Sequence, residues 1–461
     1  MNIEETSLNT SNAGNRSDPE VNGDQKKQEN GHSDQRVSDE PTNEHAMSYL
    51  ETIVHVFKGN IGPGLFAMGD AMKNAGLILG PVLTVIIGIV CVHCQHLLLQ
   101  CSKRMRNKAN MQTYPDFART VELCFENGPP RLRQWSKTMR IIVNVFLCVT
   151  QLGFCCVYFV FVSTNLQQIW NQYGISINDY LNLVIICAPI LLTSLITNLK
   201  YLAPCSVVAS ACMLIGTGIT LYFSVGDLPS PSERNFVASW ETLPLFFGTT
   251  LFAFEGISLV LPLQNAMKVP RNFHRPAGVL NVGMCFVTFL FTGLGCLGYL
   301  KYGDKVEGSL TLNLPEDDQL AQSVKLLISL GVLLGYALQF FIAIQIMWPG
   351  IQEKFGPFTH PIIGEFAFRT IMVLVTLAIA MTVPKLSLFI SLNGALCSTA
   401  LALVFPPFIE LVSNWEDSKG PGAAILLKNV AIMVVALLGF ITGSYESLAQ
   451  IIRAFSEQTP S

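Results

Sequence analysis

The sequence predicts an all-α polytopic membrane protein with eleven transmembrane helices. Three observations carry that class. Of the 461 residues, 50% are hydrophobic and only 13% are charged, against about 25% charged in soluble domains. Apolar runs of about 20 residues recur along the chain, each long enough to cross a bilayer. Two of these runs are broken in the middle by glycine and proline, which disfavour continuous helix. A large soluble helical core does not fit charge-free stretches of that length. Membrane lipid is therefore the expected surroundings. The net charge of −3 says nothing about nucleic acid, but no basic nucleic-acid motif appears, so no nucleic-acid partner is expected.

In chain order, residues 1–46 are polar and carry ten acids against four bases. They read as a disordered acidic tail without a signal-peptide pattern. Asn9-Thr10-Ser11 and Asn15-Arg16-Ser17 match the glycosylation pattern and are chance matches if the tail is cytosolic. The expected spans are 48–74 (broken), 77–101, 138–168, 180–197, 203–224, 244–267 (broken), 276–300, 321–347, 364–382, 385–410 and 424–446. A short tail, 451–461, follows. Basic residues set the orientation. Loops on the side of the N-terminus hold seventeen, and the other side holds seven. The positive-inside rule then puts the N-terminus in the cytosol and the C-terminus outside or in a lumen. The acidic loop 303–320 agrees with that.

The first span is broken at Gly59-Asn60-Ile61-Gly62-Pro63-Gly64. Gly62 precedes a proline and is biased away from helix. Pro63 suits the first position of a new helix. The expectation is two half-helices, about 47–58 and 63–74, meeting near the membrane midplane. The sixth span is broken at Glu255-Gly256. Irregular backbone at that depth survives only where protein or a water-filled cavity satisfies it. Paired interruptions in two halves are the sequence pointer to a transporter's binding site. The starts of the two broken spans lie five spans apart, so spans 1–5 (47–224) and 6–10 (244–410) form a 5+5 inverted repeat of LeuT-like type, with span 11 as one extra helix.

The breaks supply the candidate site. At the first, Asn60, Ile61, Gly62, Pro63 and Gly64 offer bare backbone and the positive end of the second half-helix, which suits a carboxylate. At the second, Phe252 and Phe254 end a half-helix whose free carbonyls suit an ammonium group, and Glu255 and Gly256 form the break. Together they suit a zwitterionic α-amino acid, capped by the two phenylalanines. An ionised carboxylate at that depth is costly, so Glu255 is paired, protonated or functional. His55, one turn before Gly59, titrates near physiological pH. His55 and Glu255 are both candidate carriers of a coupling proton.

Other polar residues read more plainly. Lys58 snorkels or caps the first half-helix, and Asp70 and Lys73 pair at i, i+3. Cys91, His93, Cys94 and His96 scatter around a helix and lack a partner cluster, so no metal is expected. No external disulfide is expected either, because the thirteen cysteines avoid the loops on the outer side. Asn144, Gln151, Tyr158, Tyr336 and Gln339 line a path or join helices. No catalytic set, P-loop or Rossmann signature has the right context, so neither an enzyme nor a cofactor is called for.

Strings through the chain then carry a likeness. They include KGNIG (58–62), KNAG (73–76), QLGFCCVYFVFV (151–162), PLFFGT (244–249), FEG (254–256), LPLQNAMK (261–268), GCLGYL (295–300), LTLNLP (310–315), QSVKLL (322–327) and YALQF (336–340). In this order, from about residue 48 to 450, they resemble the proton-coupled amino acid transporters of the amino acid/auxin permease group. The resemblance implies eleven spans, a cytosolic N-terminus and symport of small neutral amino acids with protons. It implies a plasma-membrane or lysosomal/endosomal site, and for some members a nutrient-signalling partner at the cytosolic face. A histidine of the first span is implicated in proton coupling in that family, and His55 matches it. The chain departs from the mammalian pattern at Pro63, at Gly69-Asp70 and at Gln264, and it lacks the external disulfide. Two other classes are weighed against symport. One is a sensor or facilitator with little proton coupling, and the other is a membrane enzyme.

Overall fold

The first apolar segment folds in two pieces. A computed structural model describes residues 46–197, 199–356, 360–382, 385–415 and 420–458. In it α1 covers Tyr49–Asn60 and α2 covers Pro63–Ala75. A capping box starts α1. The Ser48 hydroxyl accepts from the Glu51 N–H, and the Glu51 carboxylate accepts from the Ser48 N–H at 2.7 Å, satisfying two otherwise orphaned donors. The helix stops where Ile61 turns to extended backbone, and Gly62 (φ −158°, ψ −161°) leads into Pro63 at the first turn of α2. The tail to residue 45 lies outside the described residues, as do its glycosylation matches.

The remaining helices follow in order. α3 is Leu79–Lys108, α4 Phe117–Glu126, α5 Pro130–Arg133, α6 Ser136–Gln172, α7 Asp179–Ser194 and α8 Leu199–Val225. The second interrupted segment is α9, Leu243–Ala253, and α10, Ile257–Ala266. α11 is Val279–Tyr302, α12 Gln319–Phe355 and α13 Pro361–Thr382. The tenth span is α14, Leu386–Asn393, two π-helical segments, Gly394–Ser398 and Ala400–Val404, and α15, Phe405–Ser413. α16 is Ala423–Gln458.

Nine helices among the described residues are long and apolar enough to cross a membrane, with α9 and α10 taken as one. The halves of the first span, at 12 and 13 residues, and α7, at 16 residues, are each short of that length. The described residues belong to the unit Thr42–Ser461. At its centre α2 packs on α11 and α9, and α9 packs on α14 and the first π segment. α12 packs along α6 and α8. α16 is the opposite case. Only 11% of its most apolar stretch is buried, and Leu427, Leu438 and Ile441 are exposed. A helix so apolar and so bare meets lipid.

Several elements differ from the sequence expectation. The basic segment 103–140 holds a buried amphipathic helix, α4. Its Phe117, Val121 and Phe125 face α6, α3 and α15, and its buried Glu122 is held by Arg119 and Arg140 at 2.6 and 3.0 Å. The tenth span is not a plain helix. Its π turns come where Gly394 meets Gly248 of α9 backbone to backbone. The expected tail from Ile451 is instead a continuation of α16 to Gln458, because Ile451 and Ala454 keep the buried stripe going.

Candidate functional site

Both helix breaks face each other. Asn60 ends α1, and its Nδ2 folds back one turn to donate to the Val56 carbonyl at 2.8 Å. Its Oδ1 is buried and without a partner among the described residues. That oxygen lies against Gly256, where a Cβ would come within 3.2 Å of it. Gly64 packs on Phe252 and Ala253, with 2.8 Å left for a Cβ to the Ala253 backbone. Only glycine permits that approach at the start of α2. No side chain caps α2, so its N-terminal end points into the junction as bare backbone.

Around this junction stand groups from α6 and α12. The Tyr158 hydroxyl faces Gly62, at 3.7 Å from where a Cβ would be, and Gln339 of α12 reaches toward that hydroxyl. Gln151 of α6 approaches Ser258 of α10 at 3.5 Å. Tyr336 instead donates to or accepts from Thr376 at 2.8 Å, joining α12 to α13. Asn144 is half-buried, and its side chain makes no bond to the junction among the described residues.

Glu255 is 5% exposed. Its neighbours include the Ser258 backbone and the Ser398 hydroxyl of the first π segment, yet neither carboxylate oxygen closes a hydrogen bond of good geometry among the described residues. A buried carboxylate without partners is costly as an anion. The Ser398 contact was not visible in the sequence, because a π turn 143 residues further on gives no periodic signal.

The two phenylalanines part company. Phe252 stays at the junction, packed against Phe154 with ring centroids 4.7 Å apart and the ring planes tilted by 55°. Phe254 turns away between α3 and α11, packed on Gly88 and edge-on to Phe291 at 5.1 Å. His55 is exposed on the outer face of α1 and is not brought to Glu255. Lys58 is half-buried. His96 bonds Asn281 at 2.7 Å, and no group of three metal-ligating side chains gathers among the described residues.

Beyond the C-terminal end of α2 opens a cavity of about 620 Å³. The Asp70–Lys73 pair lines it, at 2.7 Å, and the Lys73 ammonium also donates to the Val306 carbonyl at 2.9 Å. The pair thus ties α2 to the loop after α11.

Two interrupted helices meeting inside an all-helical membrane bundle define a transporter. The profile of the family described as transmembrane amino acid transporter protein matches residues 45–449, and the chain belongs to that family. It is a family of transporters, not enzymes. The chain is 37% identical over 415 residues to the proton-coupled amino acid transporter-like protein pathetic of Drosophila melanogaster, covering 90% of this chain and 87% of that one. It is 28% identical over 425 residues to the probable amino acid transporter skat-1 of Caenorhabditis elegans, covering 88% and 91%. Among solved structures it resembles Mhp1, a nucleobase-cation-symport-1 family transporter in a closed conformation, with a TM-score of 0.52 at 15% identity over 91% of this chain and 95% of that one. That likeness is one of fold.

Proposed function

We propose that the chain is a secondary active symporter moving small neutral amino acids together with protons, with substrate bound between the two breaks. The contact of Asn60 with Gly256, beside the buried Glu255, carries this reading. A zwitterion suits such a junction. Its carboxylate meets the bare N-terminal end of α2, and its ammonium group meets the carbonyls that end α9. The name of the Drosophila relative supports proton coupling. Between the two proton candidates, burial at the junction favours Glu255, and exposure counts against His55. Ile61, Gly62, Pro63 and Gly64, with Phe252, complete the proposed pocket. Phe254 supports it from behind.

The nine long helices, the interrupted first span and α7 make eleven crossings, arranged as a 5+5 inverted repeat with α16 added. The basic bias puts the N-terminus in the cytosol. The membrane is the plasma membrane or a lysosomal/endosomal one. A zwitterion carried with one proton moves net positive charge, so the membrane potential contributes about 2.3 kcal/mol per 100 mV.

The test is current under voltage clamp, with alanine, glycine or proline applied at acidic and neutral outside pH. Inward current that grows with acidity and is lost in Glu255→Gln, but kept in His55→Ala, supports the reading. Loss in His55→Ala alone moves the proton site to the histidine. No current in surface-expressed protein that still binds labelled amino acid favours a sensor linked to nutrient signalling.

A further inference from the structure

The cavity beyond α2 is lined by more charge than it neutralises. Asp70 and Lys73 satisfy each other. Glu307, Lys385 and Arg453 also line it, and among the described residues none of these three is in an ion pair. They come from three elements: the loop after α11, the start of α14 and the end of α16. At the inner end stands Thr249 of α9, 1% exposed, with a hydroxyl that has no partner among the described residues. A helical threonine ordinarily donates to the carbonyl four residues back. Here that carbonyl, on Leu245, accepts from the Ser391 hydroxyl at 3.1 Å. Thr249 therefore keeps an unused buried hydroxyl one turn short of the α9 break.

We propose that this cavity is a second amino-acid site, separate from the helix junction. An α-carboxylate docks on Lys385 and Arg453, an ammonium group on Glu307, and the Thr249 hydroxyl takes the inner end of the ligand. The volume of about 620 Å³ falls in the range of about 300–1,000 Å³ usual for small-molecule sites. Three cations against two anions leave an excess positive charge. The cavity therefore draws carboxylates in and repels cationic side chains, raising capture more than turnover. The span that stands outside the two repeats gains a role, because α16 supplies Arg453.

The inference rests on amino-acid transport but not on which residues bind substrate at the junction. Its test is the reactivity of Ser387→Cys, a cavity-lining position, in purified protein. Anionic and cationic methanethiosulfonate reagents are compared, with wild type as the blank. The anionic reagent reacts about tenfold faster relative to a free thiol, and Lys385→Gln with Arg453→Gln removes that preference. At least one of the twenty amino acids, each at millimolar concentration, slows the reaction, and its methyl ester does not. The double substitution raises the KM for uptake of that amino acid about tenfold with kcat kept.

Gly256→Val separates the two sites. If it abolishes uptake while protection of the thiol persists, both readings stand. If uptake is normal, the junction reading fails and the cavity reading is untouched. No protection by any amino acid, with no charge preference between reagents, overturns the second site.

Discussion

Met47 and Met267 pair as a parallel β-bridge. The Met47 N–H donates to the Ala266 carbonyl at 2.8 Å, and the Lys268 N–H donates to the Met47 carbonyl at 2.9 Å. One partner precedes the Ser48 cap of α1, and the other follows the last turn of α10. The outer ends of these two half-helices are thus tied by backbone, at the face opposite the charged cavity. Asn265 ties α10 in addition to the segment before α4, accepting from the Tyr114 N–H at 3.0 Å and donating to the Tyr114 carbonyl at 2.8 Å.

If substrate leaves through that face, the bridge has to open in every cycle. Paired residues on neighbouring strands are about 4.7–4.9 Å apart, within the range of about 4.4–6.8 Å that a disulfide spans. Met47→Cys with Met267→Cys is expected to cross-link on oxidation, stop uptake of labelled amino acid, and recover with reductant. Full uptake by cross-linked protein would show that α1 and α10 need not separate.

Gly394 and Gly248 test the scaffold behind the break. A Cβ on Gly248 would strike the Ser391 carbonyl, and one on Gly394 would strike the Gly248 carbonyl. Neither obstacle is a flexible side-chain tip, so the helices have to move apart. Gly394→Ala is expected to cost about 1–3 kcal/mol by overpacking and to displace Ser398 from Glu255. A lowered melting temperature and reduced uptake check this. A variant of wild-type stability and full uptake would mean that the π segment relaxes freely.

How much of this was legible depends on the kind of signal. The breaks were readable because Gly62-Pro63 and Glu255-Gly256 are local breaker signals inside long apolar runs, and both appear within two residues of the expected place. The Asp70–Lys73 pair was readable because i, i+3 spacing fixes it within one helix. Phe254 and His55 were not, since a half-helix presents residues on all sides and sequence does not say which side meets the partner break. The cavity was invisible for a related reason. Glu307, Lys385 and Arg453 are far apart in sequence and meet only when three separate elements assemble. α4 was readable in principle, from the amphipathic spacing of Phe117, Val121 and Phe125, but the basic residues around it suggested only a loop.

Arg369 of α13 is fully buried. Its guanidinium donates to the Ser194 and Ile196 carbonyls at 2.9 and 3.3 Å and to Glu365 at 2.7 Å. It closes the C-terminal end of α7, which is short and carries Pro189 in its interior. Arg369→Met leaves those carbonyls and the carboxylate without their donor, a loss on the order of 3 kcal/mol. Arg369→Lys offers a point charge instead of a fork and should recover only part of it. Thermal unfolding in detergent measures both. A melting temperature unchanged in Arg369→Met would mean that α7 holds its end without this anchor.

His274 gives the pH dependence its sign. It lies between α10 and α11, where Gln264 approaches its Nδ1 at 3.4 Å. Burial, then the charges of Lys103, His96, Arg271 and Arg275, hold its pKa below the ordinary 6.5. The unfolded chain therefore binds a proton at His274 more readily than the folded one does. Its share of stability is complete above 6.5, is lost as pH falls toward the lower folded value, and changes no further below it. Relative to His274→Gln, the wild type should lose melting temperature as pH drops below 6.5 and match the variant's slope above it. Other titrating groups are common to both proteins and cancel in the difference. Parallel curves through the acidic range would mean that the protonated ring is accommodated in the folded chain, despite Lys103, Arg271 and Arg275 nearby.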